Sequence, residues 1–147
     1  MKKIAIAILV VLAALCLCSC AGTKSIESKY PRIYTIDSLS RDAVLSNAIK
    51  SVSAESVAAL GGTEGLDKAV RSQIPEGFLK ITLINDKSCS MMVTLSSSTN
   101  VLEGRIENGT LIFEVGDTKD VYQISADKKS ITGNWYGVTV MLVYDET

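Results

Sequence analysis

The dipeptide Asn108-Gly109, set between Ile106-Glu107 and Thr110-Leu111, constrains this chain more than any other feature. A two-residue hairpin of type I′ needs positive φ at both central positions, which Asn and Gly supply at little cost. A turn there pairs Ile106 with Leu111, Gly104 with Phe113 and Leu102 with Val115, all on one face. A second turn over Ala126 to Lys129 pairs Ile124 with Ile131 and Tyr122 with Gly133, and a third at Tyr136-Gly137 sets Trp135, Gly133 and Ile131 against Val138, Val140 and Leu142. A slip of one residue would carry the apolar set to the opposite face, so three independent turns that agree define one register. Leu79, Ile81 and Leu83, then Cys89, Met91, Val93 and Leu95, continue the alternation upstream. Period-two patterning over 77–145 predicts about seven antiparallel strands in a meander, forming a barrel or half-barrel.

Ahead of the meander the period changes. Leu45, Ala48, Ile49, Val52, Ser56, Ala59 and Leu60 fall on one side of a helix that Ser38 or Ser40 is placed to cap and Gly61-Gly62 to end. Thr63 stands where it would cap a shorter helix carrying Leu66, Val70 and Ile74, stopped by Pro75. Residues 30–37 read as a short extended piece that Pro31 confines to an edge or a strand start. The expected fold class is therefore α+β, with one or two N-terminal helices in 38–75 followed by the meander. Its outward face is mostly polar, with Lys80, Thr82, Thr94, Glu103, Arg105, Gln123, Thr132 and Asn134, but Met92, Ile112, Met141 and Val143 interrupt it. The helices are the elements available to cover that face, or to plug the concave side instead.

The first twenty residues follow a different logic. Lys2 and Lys3 precede the apolar run from Ile4 to Leu17, which is shorter than the about 20 residues of a spanning helix and is followed by small residues, the order of a secretion signal. Leu17-Cys18-Ser19-Cys20 resembles the lipobox of bacterial lipoproteins, with Leu three residues before the modified cysteine and small Ser19 immediately before it. Cys18 and Cys16 follow bulky leucines and fail that test; Cys18 in the second lipobox position is a departure from the usual pattern. The resemblance implies cleavage between Ser19 and Cys20 and lipid on Cys20. It divides the chain into a signal peptide (1–19), a lipidated tether (20–29) and one globular domain (30–147). Ala21 is not the aspartate that retains lipoproteins at the inner membrane of enteric bacteria, so the outer membrane, facing the periplasm, is the expected location.

With 15 basic against 16 acidic residues and no clustered cations, the chain has no electrostatic footprint for nucleic acid. It contains no histidine, which excludes a Ser-His-Asp or Cys-His site and any metal site built on imidazole. Once Cys16 and Cys18 leave with the signal and Cys20 carries lipid, Cys89 has no disulfide partner, and its inward parity reads as a buried small hydrophobe. Ser125-Ala126-Asp127-Lys128 has the form S-x-x-K but falls on a hairpin turn, where the helical stacking that chemistry needs is missing. Glu103 and Glu114 are paired across the first hairpin, outward and near Arg105, and Asp117, Asp120 and Asp127 lie in separate loops without the spacing of a calcium loop. No metal, cofactor or catalytic residue is expected. Asp37-Ser38-Leu39 resembles the acceptor used for O-glycosylation in some bacteria, and a helix cap explains Ser38 equally well.

The signal, the small helical segment and the late meander over about 77–144 together resemble the lipocalin-like (calycin-like) lipoproteins of bacteria. Gly133-Asn134-Trp135 has the form of the lipocalin G-x-W, although in that family it sits on the first strand and here on the sixth of seven. The resemblance implies a barrel or half-barrel and permits an apolar ligand, for which the inward rings Phe113, Tyr122 and Trp135 are the candidate contacts. A barrel of seven short strands is barely wide enough for its own side chains, and one of eight holds at most one small ligand. The expectation is thus a non-enzymatic binding or scaffolding role toward a protein partner, with a small apolar ligand as the alternative.

Overall fold

Left-handed residues at the tips of short loops set the path of the chain. Asn108 (φ 51°) and Gly109 (φ 78°) form one two-residue turn, Tyr136 (φ 45°) and Gly137 (φ 84°) another, and Gly116 (φ 60°) opens a third. These conformations match the right-handed twist of the flanking strands. The computed structural model describes residues 30–146. In chain order it contains β1 (Arg32–Ile36), α1 (Ser38–Lys50), α2 (Ala54–Ala59), α3 (Thr63–Gln73), β2 (Leu79–Leu83), β3 (Ser88–Leu95), β4 (Ser98–Glu107), β5 (Thr110–Val115), β6 (Thr118–Ile124), β7 (Ser130–Trp135) and β8 (Val138–Tyr144). The strands form one closed antiparallel barrel in sequential order. No helix among the described residues is long and apolar enough to cross a membrane.

The sheet has eight strands, one more than the expected seven, and the addition is β1. It is not an edge. Tyr34 pairs with Ile81 of β2 on one side and with Tyr144 of β8 on the other, which closes the barrel. Pro31 is compatible with this because it precedes the first paired residue, where no ladder N–H is needed.

The registers read from the turns are observed: Gly104 faces Phe113, Ile106 faces Leu111, Tyr122 faces Gly133, Ile124 faces Ile131, and Trp135 faces Val138. The pair Leu102 and Val115 does not form. The β4–β5 ladder stops at Gly104 and Phe113, Leu102 pairs with Met91 of β3 instead, and Val115 is 52 % exposed beside the β5–β6 turn.

The single first helix expected up to Leu60 is broken in two. Ser51 donates its hydroxyl to the Asn47 carbonyl, and Ser53 Oγ accepts the Ser56 N–H as a new cap, so serines compete for backbone groups that a continuous helix would use. The caps also shift. Asp37, not Ser38 or Ser40, caps α1 by accepting the Ser40 N–H at 2.7 Å, while Gly62 and not Thr63 stands at the N-cap of α3.

The helical segment covers one end of the barrel. Both backbone groups of Met141 on β8 bond to the start of this segment, its carbonyl accepting from Asp37 N and its N–H donating to Ser40 Oγ. Val44 of α1 joins the barrel core, and Leu45 and Leu66 are buried outside that cluster where α1 packs against α3. Arg41 fixes the far end of the segment with two hydrogen bonds to the Ile74 carbonyl.

The four apolar residues that interrupt the outward face are not gathered into one patch. Met92 lies on β3, Ile112 on β5, and Met141 and Val143 on β8, on separate sides of a closed barrel. Ile112 is only 5 % exposed, seated between Arg105 and Val121 of the neighbouring strands.

Candidate functional site: a filled interior and two ends

The interior is occupied by the chain's own side chains. Tyr34, Phe78, Phe113, Tyr122, Leu111, Ile131 and Leu142 all have at most 1 % of their surface exposed. Phe113 and Tyr122 meet edge to face with centroids 6.0 Å apart, each lying over a glycine on the adjacent strand. An eight-stranded barrel can fill with side chains or hold one small ligand, and here side chains fill it. Two of the three expected ligand contacts, Phe113 and Tyr122, are therefore brought together, and they serve as core.

Trp135 stands apart from them. Its inward parity places it at the last position of β7, where the strand leaves the barrel, and there it is half-buried with its ring edge-on to Phe78 at 5.9 Å and to Tyr136 at 5.1 Å. These rings form one wall of a cleft of about 300 Å³. Val44, Asn47 and Ala48 of α1, Ile74 after α3, and Leu95 and Val138 at strand ends complete it. Sequence reasoning missed Phe78 and Tyr136. Phe78 directly follows Gly77 and precedes the first alternating residue, and Tyr136 occupies a turn position, so neither carried a periodic signal.

The opposite end is polar. A depression of about 320 Å³ is bordered there by Tyr30, Arg32, Asp86, Ser125 and Lys128 above a floor of Leu83, Ile106 and Ile124. Tyr30 donates its hydroxyl to Asp86, Tyr34 donates to the Lys128 carbonyl at 2.8 Å, and the Arg32 guanidinium lies 5.3 Å from the centroid of the Tyr144 ring.

No family model, curated protein or solved structure matches this chain.

The remaining candidates resolve into local structure. Cys89 is buried, and burial pushes its thiol up to about 12, the opposite of what a nucleophile needs. Ser125 donates to Asp127 at 2.6 Å within the β6–β7 turn and not to a lysine. That bond and the Lys129 N–H hold the Asp127 carboxyl below its ordinary range. Glu114, expected opposite Glu103 and near Arg105, is engaged by Arg105 at 2.9 Å, and Arg105 also reaches Glu107 at 2.7 Å, so the outer wall carries an exposed ionic cluster. Among the described residues no group of three or more acidic or thiol side chains is placed to hold a metal ion. Ser38 is exposed in the first turn of α1 beside Leu39, which is 77 % exposed. Ser19 and Cys20 lie outside the described residues.

Proposed function

We propose that the protein is an exported, non-enzymatic binding module tethered to the membrane through lipid on Cys20, and that it binds at the end of its barrel and not in the lumen. The observation that carries this reading is the filled axis, in which Tyr34, Phe113 and Tyr122 are 0 to 1 % exposed. The eight-stranded closed antiparallel barrel is compatible with a lipocalin-like binding fold, but a carrier needs an interior space of several hundred Å³. The lipobox-like residues Leu17 to Cys20 support the anchor, and several acyl chains at about 0.8 kcal/mol per buried CH₂ would make it stable. Tyr30, ten residues beyond Cys20, borders the polar end of the barrel. A tether of that length reaches at most about 36 Å when fully extended, so the polar end would face the membrane and the helical end would face away from it. The outer membrane is the proposed location.

Two experiments test the two halves. Metabolic labelling with a fatty acid should mark the wild type and not Cys20→Ala; label retained in the variant overturns the anchor. Titration of the domain with fatty acids, retinoids and haem, followed by methyl NMR, should leave the interior resonances of Leu111 and Ile131 unmoved. Saturable shifts there would establish a ligand-carrying barrel instead.

A further inference from the structure

The two ends of the barrel present opposite chemistry. Turns at the polar end carry Asp86, Lys87, Asp127, Lys128 and Lys129, and the described chain both enters and leaves there, with Asp145 N bonded to the Ile33 carbonyl. Tyr30, where the described residues begin, therefore lies at the end opposite the helices. At the helical end, no charged side chain lines the 300 Å³ cleft. An ion placed in it would lose hydration without gaining a partner, which selects for a neutral occupant. The cleft does not continue as an acyl-chain channel, because the barrel interior is filled, with Phe113 and Tyr122 1 % and 0 % exposed. A compact occupant is selected over a long one, and the volume lies at the lower limit of about 300 to 1,000 Å³ for small-molecule sites.

Tyr136 adds an independent observation. It holds φ at 45°, a left-handed conformation that is an outlier for a bulky side chain and that Asn or Gly would adopt more easily. Burial does not compensate, since Tyr136 is 85 % exposed. In that turn position its ring lies edge-on to Trp135 and lines the cleft. Such local strain accumulates where geometry serves binding. Asn47 of α1 also lines the cleft and carries a side-chain amide that can both donate and accept.

We infer that this cleft binds a compact, uncharged, ring-bearing small molecule of the mono- or bicyclic aromatic class, held against Trp135 and Tyr136, with Asn47 placed for one polar substituent. This rests on the reading of the barrel as a binding module with a filled lumen. The probe is 2-naphthol, titrated into the chain from Ala21 onward, which contains every strand and helix described above, and followed by NMR. Saturable shifts should appear at Ala48, Ile74 and the Trp135 indole. Tyr136→Asn should weaken binding at least tenfold while leaving the unfolding temperature equal or higher, since the variant relieves the turn. The charged analogue 2-naphthoate should bind at least tenfold more weakly than 2-naphthol. Absence of saturation below millimolar concentration, undiminished affinity in folded Tyr136→Asn, or equal affinity for 2-naphthoate would each overturn this site and leave the filled lumen standing. Shifts at Leu111 and Ile131 instead would overturn both.

Discussion

The ring of Phe113 occupies the space a side chain at Gly104 would need: a Cβ built there stands 2.6 Å from two ring carbons. Tyr122 stands in the same relation to Gly133, with a Cβ only 2.1 Å from the ring. Neither glycine has positive φ, so each is required by packing across the ladder and not by its backbone conformation. The two rings then fill the barrel between them.

Overpacking at these sites should be costly. Gly104→Leu and Gly133→Ala should each lower stability by about 1 to 3 kcal/mol, because the displaced ring has no vacant space to enter. Denaturant unfolding measures this. A neutral result for either would contradict the observed register.

Tyr122→Phe should act in the opposite direction. Among the described residues the buried Tyr122 hydroxyl has no hydrogen-bond partner, and removing an unsatisfied polar group of this kind recovers about 1 to 3 kcal/mol of desolvation cost. The ring and its contact with Gly133 are retained, so the midpoint of unfolding should rise. A fall would mean that the hydroxyl has a partner in solution.

Stability should fall at alkaline pH. Burial pushes the Cys89 thiol from 9.0 up to about 12 and raises the Tyr34 and Tyr122 hydroxyls above 10.0. Each group holds its proton more tightly folded than unfolded, so its contribution is complete below the unfolded value and is lost as pH rises through the folded one. The unfolding midpoint should decline above about pH 9 and more steeply above about pH 10, and Tyr122→Phe should flatten the steeper part. Ionised Tyr34 would also lose its donated bond to Lys128. A midpoint that is level to pH 11 would contradict these burials.

Ser40→Ala should loosen the helical segment from the barrel. Ser40 is 9 % exposed and accepts the Met141 N–H at 2.8 Å, a backbone donor left unpaired by the change. The expected cost is about 1 to 3 kcal/mol. Hydrogen exchange should localise it, with the Met141 amide losing protection before the amides of Leu111 and Tyr122. Uniform loss would mean that segment and barrel open as one unit.

The hairpin registers were legible from residues 104–142 because a turn and the alternation beside it are local, and a wrong register would put Ile106, Tyr122 and Ile131 in water. The closing strand was not legible. Tyr34 and Ile36 alternate correctly, but five residues after a proline look like an edge until β8, more than a hundred residues later, arrives beside them. Parity assigned Trp135 to the same face as Ile131, yet only barrel closure decides that β7 leaves the barrel at that residue, turning a core position into the wall of a cleft. Closure also dispersed Met92, Ile112 and Met141 around the circumference. Short-range sterics, turn chemistry and the period of two thus determined which side chains share a face, whereas long-range pairing decided where that face ends and which of its rings meet solvent.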